Sequence, residues 1–296
     1  MGILEPALSP PTVTVGVLGG LGNQMFQYAT ARAVAHRNAV PLRLDLRAFD
    51  ANTLLKPGLH RWNIDARDAT PEELRRHRRW SIDLARRVRP LGRALRCHAE
   101  TSLAFDPQVM HLKAPVHLSG YFQSERYFAE IRHLLMDQFS PRLPLLPAHR
   151  AMAEAAAASP SISVHVRRGD YVSEARNVAV HGSCSVDYYS RAIEMLHARY
   201  GPATCYFFSD DLDWVRQHLP RPAHAVYVEG NADAPEVDIH LMAACHHHVC
   251  ANSSFSWWGA WLGRHPEKCV VAPAHWFALS RHDAVDLVPA AWLRLD

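Results

Sequence analysis

Residues 15–37, VGVLGGLGNQMFQYATARAVAHR, decide the fold. An apolar run enters a glycine turn, and from Asn23 to His36 the residues Met25, Phe26, Ala29, Ala33 and Val34 form a helical stripe. A second strand, AVPLRLDL at 39–46, follows, so the pattern is β-α-β and predicts a parallel sheet with helices packed on it. The turn imitates the G-x-G-x-x-G dinucleotide fingerprint. Gly20 and Gly22 take its first two positions, and Asp45 stands about where a ribose-binding acid would. Met25 takes the third position, where a glycine would allow close helix–strand packing. Asn23 and Gln24 put two amides at the helix start, suited to capping or to an oxygen-rich ligand. A dinucleotide site, another ligand site and a ligand-free turn all fit these residues.

Strands and helices alternate through the rest of the chain. Strands are expected at SISVHV (161–166), TCYFFS (204–209), HAVYV (224–228), HHVCA (247–251) and, as the last one, KCVVAP (268–273), with helices between them. That is a doubly wound α/β arrangement, which binds ligand at the carboxyl ends of its strands. Earlier, APVHLSGYFQSERYF (114–128) reads as a strand followed by a helix from near Ser124. The Pro-rich stretch SPRLPLLPAHR (140–150) marks the expected linker, giving domains 1–150 and 151–296. At 296 residues and 48% hydrophobic content the chain suits two moderate domains. A net charge of +3 does not call for nucleic acid. Six cysteines with no CxxC pair read as reduced and buried. No apolar run reaches the roughly 18 residues of a membrane span, and MGILEPALSPP lacks a basic n-region. A cytoplasmic protein is expected. The basic segment 72–96 is either a solvated helix face or a peripheral contact with anionic lipid.

Chemistry concentrates in three further places. In HVRRGDYV (165–172), Arg167 and Arg168 leave a strand end, where paired guanidiniums can bind phosphate oxygens bidentately. A surface pair with Asp170 is the alternative. In FFSDDLDW (207–214), Asp211 and Asp213 form a D-x-D that either holds a divalent metal or caps a helix and complements its dipole. In residues 237–262, Asn252, Ser253 and Ser254 sit between a strand and a helix, an arrangement suited to phosphate. Asp238 is either a cap or a reader of guanine N1–H and its amino group. Trp257 and Trp258 read as core before sugar platforms. His246, His247 and His248 alternate faces on a strand, so they are not a metal site.

Together, GGLGNQMFQYA, SGYFQSERYF, HVRRGDYV, FFSDD and NSSFSWWGAWL resemble the bacterial α-1,2-fucosyltransferases of glycosyltransferase family 11, in the family's order. The resemblance implies a GT-B-like fold, two Rossmann-type domains facing a central cleft, with GDP-fucose mainly on the C-terminal one. It implies inversion at the anomeric carbon with no cofactor and no obligatory metal. Arg167 or Arg168 would bind the diphosphate, His165 and Asp238 the nucleoside, and Asn252 with Ser253 or Ser254 a phosphate. Gly20, Gly22, Asn23 and Gln24 would line the cleft from the other domain. Asp170 is the expected general base, with Glu174 as an alternative and, as a third reading, collapse of a loose ion pair that needs no carboxylate base. The implied acceptor is a galactose-containing oligosaccharide, lipid-linked in surface-glycan synthesis, attacked through its 2-hydroxyl.

Overall fold

The computed structural model describes residues 10–50, 55–75, 96–168, 182–277 and 285–296. Two wholly parallel sheets make up the framework. The first contains β1 (Val13–Gly16), β2 (Leu42–Asp45), β3 (Arg67–Asp68), β4 (Arg96–Ala99) and β5 (Val116–Ser119), in the order β3-β2-β1-β5-β4. The second contains β6 (Ser161–Val166), β7 (Thr204–Ser209), β8 (Ala225–Tyr227), β9 (His247–Val249), β10 (Val270–Pro273) and β11 (Leu293–Leu295), in the order β11-β10-β9-β6-β7-β8. All six residues of β6 are buried, as expected of a central parallel strand covered on both faces.

Each sheet reverses its strand order once, between β1 and β5 and between β6 and β9. Such reversals open a crevice at the carboxyl ends of the strands. The glycine turn follows β1, the Tyr121–Gln123 turn follows β5, Arg167 follows β6 and Asn252 follows β9. Topology alone thus gathers most of the sequence motifs around two crevices.

Three strands depart from the expectation. β3 is two exposed residues, too short to leave a pattern, and β4 adjoins the basic segment. β11 pairs with β10, so KCVVAP is not the last strand. The helix expected from Ser124 is delayed. Ser124 Oγ accepts a hydrogen bond from Arg126 N and caps a 3-10 turn (Glu125–Tyr127), a second turn follows (Ala129–Ile131), and α2 begins only at Arg132 (Arg132–Gln138). The expected division at residue 150 falls in the first turn of α3 (Pro147–Ala158). Asp170, Glu174 and most of the basic segment lie outside the described residues.

The larger of two hydrophobic clusters runs through both halves, and the smaller, around Ile162, Val164 and Phe207, lies within the second. The centre of the larger is the contact of α1 (Leu21–Asn38) with the apolar helix α7 (Ser254–Leu262). Phe26 packs 4.4 Å from the Trp257 ring and 5.0 Å from that of Trp258. Phe128 stacks on Trp258 at 5.5 Å. Both tryptophans are fully buried, with partners for their indole N–H groups: Trp258 donates to Gly22 O at 2.9 Å, and Trp257 to Leu287 O at 2.8 Å. At the far end of α7, Lys268 Nζ donates to the carbonyls of Ala260, Trp261 and Gly263, at 2.7, 3.1 and 3.0 Å. A cation there satisfies carbonyls that the helix leaves open and complements its dipole.

The main chains of the two halves pass close together at Gly22. A Cβ at that position would lie 2.5 Å from the carbonyl carbon of Ser254 and 2.7 Å from Phe255 N. Both obstacles are backbone, so the helices would have to part. At Gly20 a Cβ meets nothing within 4 Å. Gly22→Ala is therefore expected to lower stability by about 1–3 kcal/mol through overpacking, measured as a lower urea midpoint, while Gly20→Ala leaves the midpoint nearly unchanged.

Candidate functional site

The cleft between the sheets encloses about 1410 Å³, above the roughly 300–1,000 Å³ of a site for one small ligand. Residues 19–23, 100–103, Tyr121 and Gln123 form one wall. His165, Arg167, residues 209–213, Asp238 and residues 252–255 line the opposite side. Two helix N-termini meet in it. α1 starts at Gly20 with no side-chain cap and no acid in its first turn, and α7 starts at Ser253, whose Oγ accepts from Phe255 N at 3.3 Å. Helix N-termini present unsatisfied N–H groups and partial positive charge, which favour an anion.

The two arginines part company at the end of β6. Arg167 lines the cleft, with Nη1 2.8 Å from Asp210 Oδ2. Arg168 lies with its guanidinium carbon 3.9 Å above the Trp214 ring and Nε 3.3 Å from Asp211 Oδ2. This is the alternation of side chains along a strand carried one step past its end. Arg168, the other of the two arginines expected at the anion, is not among the cleft residues and braces β6 against α5 (Leu212–His218).

That brace also accounts for the D-x-D. Asp211 Oδ1 accepts from Trp214 N at 3.1 Å and caps α5, and its other oxygen faces Arg168. Asp213 pairs with Arg216 one turn on, at 3.1 Å. Among the described residues, no three His, Cys, Asp or Glu side chains form a group fit to hold a metal. His246 and His248 hydrogen-bond Ser161 and Ser163, at 3.0 and 2.8 Å.

His165 lines the cleft next to Arg167. Burial, reinforced by the Arg167 charge, pushes its imidazole down to about 3, so the ring is neutral. Its Nδ1 is buried and meets no hydrogen-bond partner among the described residues. Such an orphan costs free energy until a ligand or water meets it. Asp238 projects from the first turn of α6 (Pro235–Ala244) and accepts from Asn231 Nδ2 at 2.7 Å. Burial pushes its carboxyl up to about 6, against the lowering effect of that hydrogen bond. Asn252 is buried, and its Nδ2 reaches the carbonyls of Gly182 and Trp276, both at 3.3 Å.

Gly20, Gly22 and Asn23 line the cleft. Gln24 does not. Its Nε2 donates to Gly19 O (2.8 Å) and Lys56 O (3.0 Å), and its Oε1 accepts from Gly58 N (2.8 Å). With its amide occupied and its side chain buried, it braces the glycine turn. Asp45 is likewise engaged. Arg47 reaches its two oxygens at 2.8 and 2.6 Å and His117 approaches at 3.2 Å, which outweighs burial and holds the carboxyl well below the usual range. It is no ribose ligand, since it is not among the cleft residues.

The cleft also includes Glu100, Tyr121, Gln123 and Asp210, none of them among the expected site residues. Glu100 carries no motif around it, Tyr121 and Gln123 lie in the SGYFQSERYF motif with no role assigned to either, and Asp210 stands beside the more conspicuous D-x-D. Gln123 Nε2 donates to Asn23 Oδ1 at 2.8 Å, joining the turns after β5 and β1.

Residues 101–294 match the family described as Glycosyl transferase family 11. An α-1,2-colitosyltransferase of Escherichia coli is 33% identical over 292 residues, covering 96% of this chain and 99% of that protein. The O-antigen biosynthesis glycosyltransferase WbnK of the same species is 29% identical over 94% of this chain and 98% of its own. Galactoside α-(1,2)-fucosyltransferase 2 of Oryctolagus cuniculus is 23% identical, over 84% of this chain and 66% of its own. In fold, the chain resembles a mutant of Arabidopsis thaliana FUT1 solved in complex with GDP, at a TM-score of 0.51 and 11% identity, over 99% of this chain and 78% of that one. With its two parallel sheets facing a cleft, the architecture is GT-B-like. The chain belongs to glycosyltransferase family 11.

Proposed function

We propose that the protein is an inverting transferase that moves L-fucose from GDP-fucose to the 2-hydroxyl of a galactose-type acceptor. One observation carries the donor assignment: Arg167, His165 and two helix N-termini line one cleft. That is a site for a diphosphate. As the glycosidic bond breaks, negative charge builds on the departing GDP and the sugar becomes oxocarbenium-like. Fixed donors aimed at that charge stabilise the transition state more than the ground state. Neutral His165 can donate one hydrogen bond, and Ser253 and Ser254 stand at the α7 N-terminus for a phosphate oxygen. Asp238, when ionised, can accept the N1–H and amino group of guanine. No metal is required in this scheme, because the guanidinium and the helix ends supply the positive charge. Asp170, the base expected from the sequence, follows the arginine pair but is outside the described residues.

The relatives bear on the sugars. One is named for colitose, the 3-deoxy counterpart of fucose, and another for O-antigen synthesis. GDP-colitose is therefore the second donor to try. A lipid-linked surface-glycan intermediate is the proposed acceptor, and no nucleic acid is involved. Among the described residues no helix is long and apolar enough to cross a membrane. Cytoplasmic action with at most peripheral membrane contact belongs to the same proposal.

The direct test is GDP release from GDP-fucose and GDP-colitose in EDTA, with and without lactose. Lactose-dependent release from one donor, with an α-1,2 product by NMR, is the expected result. Release only after metal is restored would overturn the metal-free scheme.

Arg167→Ala is expected to reduce kcat by about 10²–10³, as losing one preorganised oxyanion donor does, and to weaken GDP binding. Arg168→Ala should chiefly lower the thermal midpoint. Equal loss of GDP affinity in both variants would contradict the division of labour at the end of β6.

Asp238 must be ionised to accept two guanine N–H groups, and its carboxyl titrates at about 6. GDP affinity should therefore be complete well above that pH and fall as the pH drops through it. Titration calorimetry between pH 5 and 8 measures this, and Asp238→Asn should flatten the profile.

A further inference from the structure

Glu100 immediately follows β4, and its backbone N–H donates to Ser119 O at 2.8 Å, continuing the β4–β5 ladder by one residue. Its carboxylate is held by two backbone amides of the next turn. Tyr121 N donates to Oε2 at 2.7 Å and Phe122 N to Oε1 at 2.9 Å. The turn is shaped around this side chain. Gly120 has φ +157°, and a Cβ there would collide with the Glu100 side chain, while Phe122 adopts φ +53°. Each carboxylate oxygen keeps a second acceptor position.

The other carboxylates of the cleft are engaged. Asp210 and Asp211 pair with Arg167 and Arg168, and Asp213 and Glu229 pair with Arg216. A guanidinium partner favours the ionised form of an acid and makes it a poor proton acceptor. Asp238 belongs to the opposite wall. Among the described residues, Glu100 has no arginine or lysine partner, and it is the one carboxylate lining the cleft from the first sheet.

Inversion places the attacking hydroxyl and the leaving diphosphate on opposite faces of the transferred sugar. With the diphosphate at Arg167, on the second sheet, the acceptor enters from the first. Tyr121 offers an exposed ring next to Glu100, a surface for the apolar face of a sugar. Resting on the donor reading above, we infer that Glu100 is the catalytic base and that Glu100 and Tyr121 form the acceptor subsite. The acceptor O–H donates to a free lone pair of the Glu100 carboxylate. As the hydroxyl oxygen bonds to the anomeric carbon, its proton passes to Glu100, and the electron pair of the breaking C–O bond leaves with GDP. Glu100 returns the proton to water after the product departs.

Burial raises the Glu100 carboxyl from its ordinary value, against the two amide hydrogen bonds and His98. Among the described residues, the titratable groups that interact with it are His98 on β4 and, across the turn, Tyr121 and Tyr127. The elevation makes the group a better base, and protonation should remove activity on the acidic side.

The test measures kcat/KM for lactose against pH at donor concentrations that saturate at every pH, so that the Asp238 titration drops out, together with donor hydrolysis without acceptor and GDP binding. Wild type, Glu100→Gln, Glu100→Ala, Tyr121→Ala and Asp170→Asn are compared. Glu100→Gln is expected to lose about 10²–10³ in transfer, within the range for a missing general base. It should also lose the acidic limb while keeping GDP affinity within about twofold of wild type. Because glutamine cannot accept from both turn amides, Glu100→Ala with added formate provides the second arm, and partial rescue of transfer is expected. Tyr121→Ala should raise KM for lactose more than it lowers kcat. An unchanged acidic limb in Glu100→Gln, its disappearance only in Asp170→Asn, or parallel loss of GDP binding without formate rescue would each overturn the assignment. In the last case Glu100 is a strut of the turn. A wild-type protein that binds GDP but transfers neither sugar to any galactoside would remove the reaction itself and this assignment with it.

Discussion

The contact on which the structure depends is the approach of two helix N-termini, α1 and α7, with no side chain at Gly22 to keep them apart. It joins the two sheets through a carbonyl–indole hydrogen bond and a cluster of aromatic rings. It also points two sets of unsatisfied amides into the same cleft. Packing and anion binding are two results of one backbone proximity. An added methyl group would press on both.

Charge within the cleft is distributed along the same lines. On the second sheet, guanidiniums and carboxylates are paired tightly enough to fix their positions, which leaves Arg167 oriented towards the space between the sheets. Among the described residues, the first sheet's side of the cleft carries glycines, leucines, amides, hydroxyls, one aromatic ring and a single carboxylate, which is bound to backbone amides. The contrast suits a reaction in which one partner is a dianion and the other a neutral sugar.

Much of the fold was legible because buried parallel strands and their crossover helices leave strong periodicity. β6, α4 (Val186–Tyr200) and β7 fall on the segments expected. The misses have physical causes. β3 is two exposed residues and has no period to detect. The delayed helix after Ser124 begins with a proper cap, so the local signal was real, but two short turns precede α2. At the site, motif residues marked the neighbourhood without fixing direction. Gln24 and Arg168 have the right chemistry and point at protein atoms, because their partners at Lys56, Gly58 and Trp214 are distant in sequence or on another element. Glu100 left no signal, since what distinguishes it is a turn some twenty residues further on.

The continuous core has a consequence for how the molecule can be taken apart. In many two-domain clefts the halves meet across a polar seam and behave as modules. Here the seam is lined with tryptophan and phenylalanine, and the indole of one half is hydrogen-bonded to the main chain of the other. Chimaeras that exchange one half for that of a relative must therefore carry both sides of the α1–α7 seam together, because the natural boundary for recombination follows the aromatic packing and not the proline-rich connection.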